Sequence, residues 1–366
     1  MPEPFKEMFN AALVERLALA IASVEPGFDR PAFTQAVLDK AWNSRELKDR
    51  MHHIAVCLGQ FVPGSYKRQV EILKTVAHGF KGFPAIVFPD FTAEFGLDDF
   101  EVSVEALRFF TPLASSEFGV RPFIVRYGSR MMETLETWAS DPDEHVRRLA
   151  SEGCRSRLPW GMALADFKRD PSPVLRVLEL LKQDPSEYVR RSVANNLNDI
   201  SKDHPEITLT ICNRWKGQHP DTDALIVHAL RGLLKSGNQA ALALCGVQMD
   251  APLLLTEAKA SPESLAIGET MKLTATIRNA GETEQNVRFE YAITFQNRSG
   301  KGGRKVFQWK KAVVAPGETI TIVKRHAFRD VSIRKHYPGD HTIALILNGK
   351  TQFTTTVHLI AQSYRV

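Results

Sequence analysis

Cysteine is scarce in this chain: four in 366 residues (Cys57, Cys154, Cys212, Cys245), with neither CxxC nor Cys/His spacing. That excludes a zinc site and predicts reduced, mostly structural thiols in a cytoplasm. Long apolar runs are absent too; none approaches the roughly 20 residues that span a bilayer, so no membrane partner is expected. Met1 to Phe9 carries charges without a signal-type apolar core, which predicts no secretion and a cytoplasmic location. The histidines (His52-His53, His145, His204, His219, His228) show no metal-ligand spacing. No P-loop, Ser/His/Asp signature or helix-hairpin-helix pattern is visible. Neither a metal nor a cofactor is expected.

What the chain does have is a duplication. Asp141-Pro-Asp-Glu-His-Val-Arg-Arg-Leu-Ala150 recurs 43 positions later as Asp184-Pro-Ser-Glu-Tyr-Val-Arg-Arg-Ser-Val193. Asp-Pro opening a helix, at a period in this range, marks HEAT-like repeats, in which each helix pair buries its apolar face only by stacking on a neighbour. Leu225 to Leu233 is a weaker third copy, offset by 36 from Val189 to Leu197, and Ser116 to Ile124 is an upstream candidate. Helical spacing also runs through Phe9, Leu13, Leu17 and Ile21, through Ile72, Leu73 and Val76, and through Val104, Leu107 and Phe110.

Near Asp250 the pattern turns to alternation. Lys272–Arg278, Val287–Ile293, Thr319–Val323 and His341–Leu347 read as strands, with turns at Asn279–Gly281, Ser299-Gly300, Pro316-Gly317, Pro338-Gly339 and Asn348-Gly349. The expected fold is mainly α: a HEAT-like repeat superhelix over residues 1–247, then a small all-β immunoglobulin-like sandwich over 251–366. The stretch Ser299 to Lys305 reads as a flexible basic loop holding Lys301, Arg304 and Lys305. Charge is uneven: residues 250–366 hold 17 Lys+Arg against 10 Asp+Glu, and the rest 30 against 32. Such asymmetry suggests a polyanionic partner.

Positions four apart share a helix face. On that rule Arg148, Glu152 and Ser156 form one line, matched by Arg191, Asn195 and Asp199, by Val227, Arg231 and Lys235, and upstream by Pro122, Arg126 and Arg130. Arginine forks suit phosphate oxygens. Carboxylates would repel a phosphate backbone, unless the ligand develops positive charge. Breaking an N-glycosidic bond does this, because the deoxyribose becomes oxocarbenium-like and nearby carboxylates stabilise it. A cationic N-alkylated base leaves as a neutral molecule and needs little help from an acid. The same residues also admit plain readings: Glu152 and Asp199 can pair with neighbouring arginines, Glu117 can be a helix-start residue, and Trp160 can be packing. Composition and pattern alone stop at a nucleic-acid-binding helical repeat protein.

Pro4 to Val14, Ser115–Phe123, Ser151–Gly161 and Tyr188–Asp199 resemble the AlkC family, HEAT-like-repeat DNA glycosylases related to AlkD. Lys305–Phe307, Arg334–Gly339 and Asn348-Gly349 extend the resemblance into an immunoglobulin-like appendage found in part of that family. The resemblance implies a monomeric, monofunctional glycosylase of the bacterial cytoplasm, associated with the nucleoid during repair. It would excise 3-methyladenine and 3-methylcytosine from duplex DNA without base flipping, with the sandwich helping to encircle the duplex. It implies catalytic roles for Glu117, Glu152 and Asp199 and an aromatic contact to the lesion sugar by Trp160. Arg148 and Arg191 would be phosphate or lesion contacts; Arg126, Arg130, Arg231, Lys301, Arg304 and Lys305 complete the expected DNA-binding set. The rival class is a non-catalytic repeat scaffold that binds damaged DNA or a protein.

Overall fold

A computed structural model describes residues 5–298, 302–331 and 334–361. Lys301 lies outside the described residues. Sixteen α-helices occupy the described chain as far as Leu244, and only β-strands follow from Leu253. No helix among the described residues is long and apolar enough to cross a membrane.

The chain divides into two compact units. One comprises Met1–His204 with Gly217–Ala229; the other comprises Pro205–Lys216 with Leu230–Val366. The helices Pro205–Trp215, Arg231–Lys235 and Gln239–Leu244 therefore group with the strands and not with the helices before them.

In the first unit the periodic residues pack as the spacing predicts. Helix Ala11–Val24 is capped by Asn10, which accepts the Leu13 N–H, and buries Leu13, Leu17 and Ile21. An aromatic-rich core follows, in which Phe33, Phe88, Phe91 and Phe110 are buried. The duplicated segments become helices Glu144–Gly153 and Glu187–Ile200, packed on one another, and the second also packs on Pro220–Ala229. Gly153 permits this crowding on its other side. A Cβ there would come within 2.9 Å of Val120 on helix Val120–Tyr127.

The two Asp-Pro turns are built alike. Asp141 accepts the Asp143 N–H, and Asp184 accepts the Ser186 N–H. Arg147 donates to the carbonyls of Asp141 and Pro142, as Arg190 does to those of Asp184 and Pro185. Each turn is then tied to the next unit of chain: Arg108 pairs with Asp141, Arg147 with Asp184, and Arg190 with Asp221. The first arginine of each Arg-Arg pair is thus a scaffold residue.

The strands are β1 (Leu253–Ser261), β2 (Ser264–Ala266), β3 (Thr270–Asn279) and β4 (Gln285–Phe295). They continue as β5 (Gly303–Val314), β6 (Thr319–Ala327), β7 (Gly339–Leu347) and β8 (Lys350–Ile360). They form a three-stranded sheet, β1-β3-β6, and a five-stranded sheet, β2-β8-β7-β4-β5. Met271 and Leu273 of the first meet Tyr291, Ile293 and Val357 of the second in a shared core. Asn348 and Gly349 both take positive φ, as a two-residue hairpin between β7 and β8 requires. One expectation needs correction: Arg304 and Lys305 are not in a loop. β5 starts at Gly303, and Lys305 pairs with Ile293 and Arg304 with Thr294. The basic stretch is short enough for the β4 ladder to capture its end.

Candidate active site

Two helices and one turn of the first unit bring the acids together. Glu117 lies in the turn ahead of helix Val120–Tyr127, Glu152 in the last turn of Glu144–Gly153, and Asp199 near the end of Glu187–Ile200. They are joined through arginines into one chain of ion pairs. Arg148 Nη1 donates to Glu117 Oε2 at 2.5 Å, and its Nη2 lies 3.4 Å from Glu152 Oε1. Arg155 Nη1 donates to the same Glu152 oxygen at 2.6 Å, and its Nε donates to Asp199 Oδ2 at 2.8 Å. Lys202 closes the far end, 2.9 Å from Asp199 Oδ1. Ser192 donates to the other Glu152 oxygen at 2.6 Å.

Burial sorts the three acids. Glu152 and Asp199 are 4% and 2% exposed, whereas the Glu117 side chain keeps 19%. Buried carboxylates persist as ions only when paired and hydrogen-bonded, and these are. Burial by itself would lower the Arg148 pKa, but Glu152 and Glu117 more than offset it and raise it; Glu152 and Asp199 do the same for Arg155. Arg121 is different. It is wholly buried, donates to the carbonyls of Met162 and Gly153, and burial pushes its pKa down to about 10.

Beside Glu117 opens a cleft of about 510 Å³, mostly apolar and aromatic, with Phe118, His145, Trp160 and Tyr188 in its walls. Glu117 is the one carboxylate among the described residues lining it. His145 and Tyr188 hold equivalent places in the two repeats and meet edge to face at 5.6 Å. Arg148 lies 5.2 Å above the Tyr188 ring. Trp160 is 61% exposed and sits at φ 63°, in the left-handed region. Lys48 donates to its carbonyl at 2.9 Å, and Arg121 holds the same loop through Met162.

The remaining expected contacts are scattered. Arg191 is exposed on a second cleft of about 340 Å³, with Arg190, Glu187, Asp221 and His228. Arg126 ends one helix, 3.7 Å from Asp98, and Arg130 begins the next, paired with Glu101 and 4.0 Å above Phe100. Gly128, at φ 50°, breaks the chain between them, so they do not share a helical face. Likewise Ser156 lies past the end of its helix. Arg231 begins a new helix in the second unit, after Pro220–Ala229 has stopped. Arg304 and Lys305 are exposed on β5, an edge strand, where basic residues also discourage pairing with another chain. Arg155, Arg121, Tyr188 and His145 were not singled out by helical spacing. Arg155 escapes it because Cys154 caps the helix and turns the chain.

Residues 255–361 match the family described as "Uncharacterised protein YhaZ, C-terminal Ig-like domain". Over 347 residues the chain is 41% identical to the uncharacterised protein YhaZ of Bacillus subtilis (strain 168), covering 95% of this chain and 97% of that protein. It also superposes on the alkylpurine DNA glycosylase AlkC of Pseudomonas fluorescens, solved bound to DNA containing an abasic-site analogue. That match has a TM-score of 0.95 and 34% identity, over 98% of this chain and 100% of the other. The chain belongs to the AlkC family. An AlkC-type chain thus carries its acids in an ion-pair network that reaches an aromatic cleft at one point, Glu117. No cluster of His, Cys, Asp and Glu able to hold a metal ion occurs among its described residues.

Proposed function

We propose that this protein is a monofunctional DNA glycosylase for cationic N3-alkylated bases, 3-methyladenine and 3-methylcytosine, in duplex DNA. The observation that carries this reading is the Glu117 carboxylate, paired with Arg148 and lining the same aromatic cleft as an exposed, strained Trp160. Full-length likeness to a protein solved on DNA with an abasic-site analogue supports it.

The chemistry follows from the charges. The bond from C1′ to the base nitrogen breaks with its electron pair going to the base, which departs neutral. The positive charge left on the sugar is stabilised by Glu117, with Glu152 and Asp199 adding to the field from behind the arginines. Water adds to C1′ and gives up its proton. Trp160 packs against the sugar, and the lesion is not turned into a deep pocket. Arg191, with Arg126, Arg130, Arg231, Arg304 and Lys305, takes phosphates, while Arg148, bonded to Glu117 and Glu152, serves the lesion site. The successive helix pairs are read as HEAT-like repeats, the sandwich as a second hold on the duplex, and the site of action as the bacterial cytoplasm.

The experiment is base release from duplex DNA carrying 3-methyladenine under single-turnover conditions. Glu117→Gln is expected to lower the rate about 10²-fold while duplex affinity holds. Tight duplex binding with no base release from the wild-type protein would instead make it a scaffold.

A further inference from the structure

One buried cation lies outside the cleft yet touches two of the three acids. Arg155 follows Cys154, which caps helix Glu144–Gly153, and its backbone N–H donates to the Glu152 carbonyl at 3.3 Å. The side chain is thereby folded back between neighbouring helices. Its Nη1 reaches Glu152, while Nε and Nη2 both lie 2.8 Å from Asp199 Oδ2. Arg155 does not line the cleft, so a sugar seated there does not touch it.

Two carboxylates withdrawn from water at this spacing repel one another, and one of them would take up a proton. A planar guanidinium bonded to both removes the repulsion and fixes both orientations; an ammonium is a point charge and fixes neither. The other groups facing Glu152 are Arg148, Ser192, and, at longer range, Arg121, Cys154 and Tyr188. Those facing Asp199 are Lys202 and, at longer range, Arg157. Lys202 is half exposed, so solvent weakens its hold. Among the described residues only Arg155 bonds both carboxylates.

We propose that Arg155 is a positioning residue of base excision, locking Glu152 and Asp199 into one ionised unit that holds Arg148, and through it Glu117, against the cleft. The proposal rests on the glycosylase reading. The raised pKa of Arg155, despite its burial, is the counterpart of this lock. Without it no described residue bonds both acids, and Glu152, the second anchor of Arg148, is no longer held in place.

The test uses the full chain with Arg155→Lys and Arg155→Met, on duplex carrying 3-methyladenine. Single-turnover rate against pH, duplex affinity and thermal melting are measured together. Both variants should keep duplex affinity within about threefold and lose about tenfold or more in rate. The acid limb of the rate profile should move up by about one pH unit, less for Lys than for Met. Where Arg155→Met does not fold, Arg155→Lys carries the test. A folded Arg155→Lys with the wild-type rate and acid limb overturns the proposal, even if its melting point falls. A wild-type protein that releases no base overturns the glycosylase reading and this proposal together.

Discussion

Trp160 holds a left-handed backbone conformation that costs an ordinary side chain about 1–2 kcal/mol. Little packing offsets that cost, because most of the indole is open to solvent. The loop is held instead by Lys48 and Arg121, one on the Trp160 carbonyl and one on that of Met162. Strain retained at an exposed residue of a cleft motivates a functional test of Trp160. Trp160→Gly is therefore expected to leave stability within about 1 kcal/mol of wild type in urea titrations, while affinity for lesion-bearing duplex falls. A loss above about 2 kcal/mol would show that the indole packs after all. The sequence made Trp160 a candidate; its backbone geometry could not be read there. Nor could the different burial of three acids that look alike in one dimension.

Among the helices, the duplicated Asp-Pro openings were the most legible signal, and the structure explains why they recur. Each aspartate closes its own turn and also accepts an arginine from the unit before it. Asp184 is nearly inaccessible and receives Arg147 through two nitrogens. Asp184→Ala should cost about 2–4 kcal/mol, since it strands Arg147 and opens the turn. Asp221→Ala, at the half-exposed end of the series, should cost less than about 1 kcal/mol. Denaturant titration of the pair checks the contrast, and equal losses would refute it. The helical face drawn from four-residue spacing fared worse. It ran through Arg126 to Arg130 and through Val227 to Arg231, where the helices stop at Gly128 and at Leu230. Spacing predicts a shared face only while the helix lasts.

The molecule divides where composition alone would not place the cut. Its last two helices, and Pro205–Trp215, belong with the strands, and Asn348 donates to the Gln248 carbonyl at 2.7 Å within that second unit. A truncation at 250 therefore strands helices as well as removing a sandwich. The same unit carries an acid-sensitive point. His326 packs among Phe295, Phe307 and Phe328, and burial, with His336, Arg334 and Lys324 nearby, pulls its pKa from 6.5 to about 4. It is neutral in the fold and would protonate first in the unfolded chain. Its contribution is complete above pH 6.5 and is lost as pH falls toward about 4. Thermal melts followed by the β-sheet infrared band should drop over that window. His326→Gln should flatten the drop, and an equally steep one in the variant would exclude His326 as its source.

Period, alternation and turn residues determined the helical region, the strand region and the Asn348-Gly349 hairpin, because those signals are local and survive in any environment. Resemblance marked Glu117, Glu152 and Asp199 as a set. Which acid meets the cleft, which arginine holds the others and where helices end were decided by tertiary structure alone. The physical reason is burial: whether a carboxylate faces water or a guanidinium depends on chain 30 to 45 residues away, as the Arg148–Glu117 and Arg155–Asp199 pairs do.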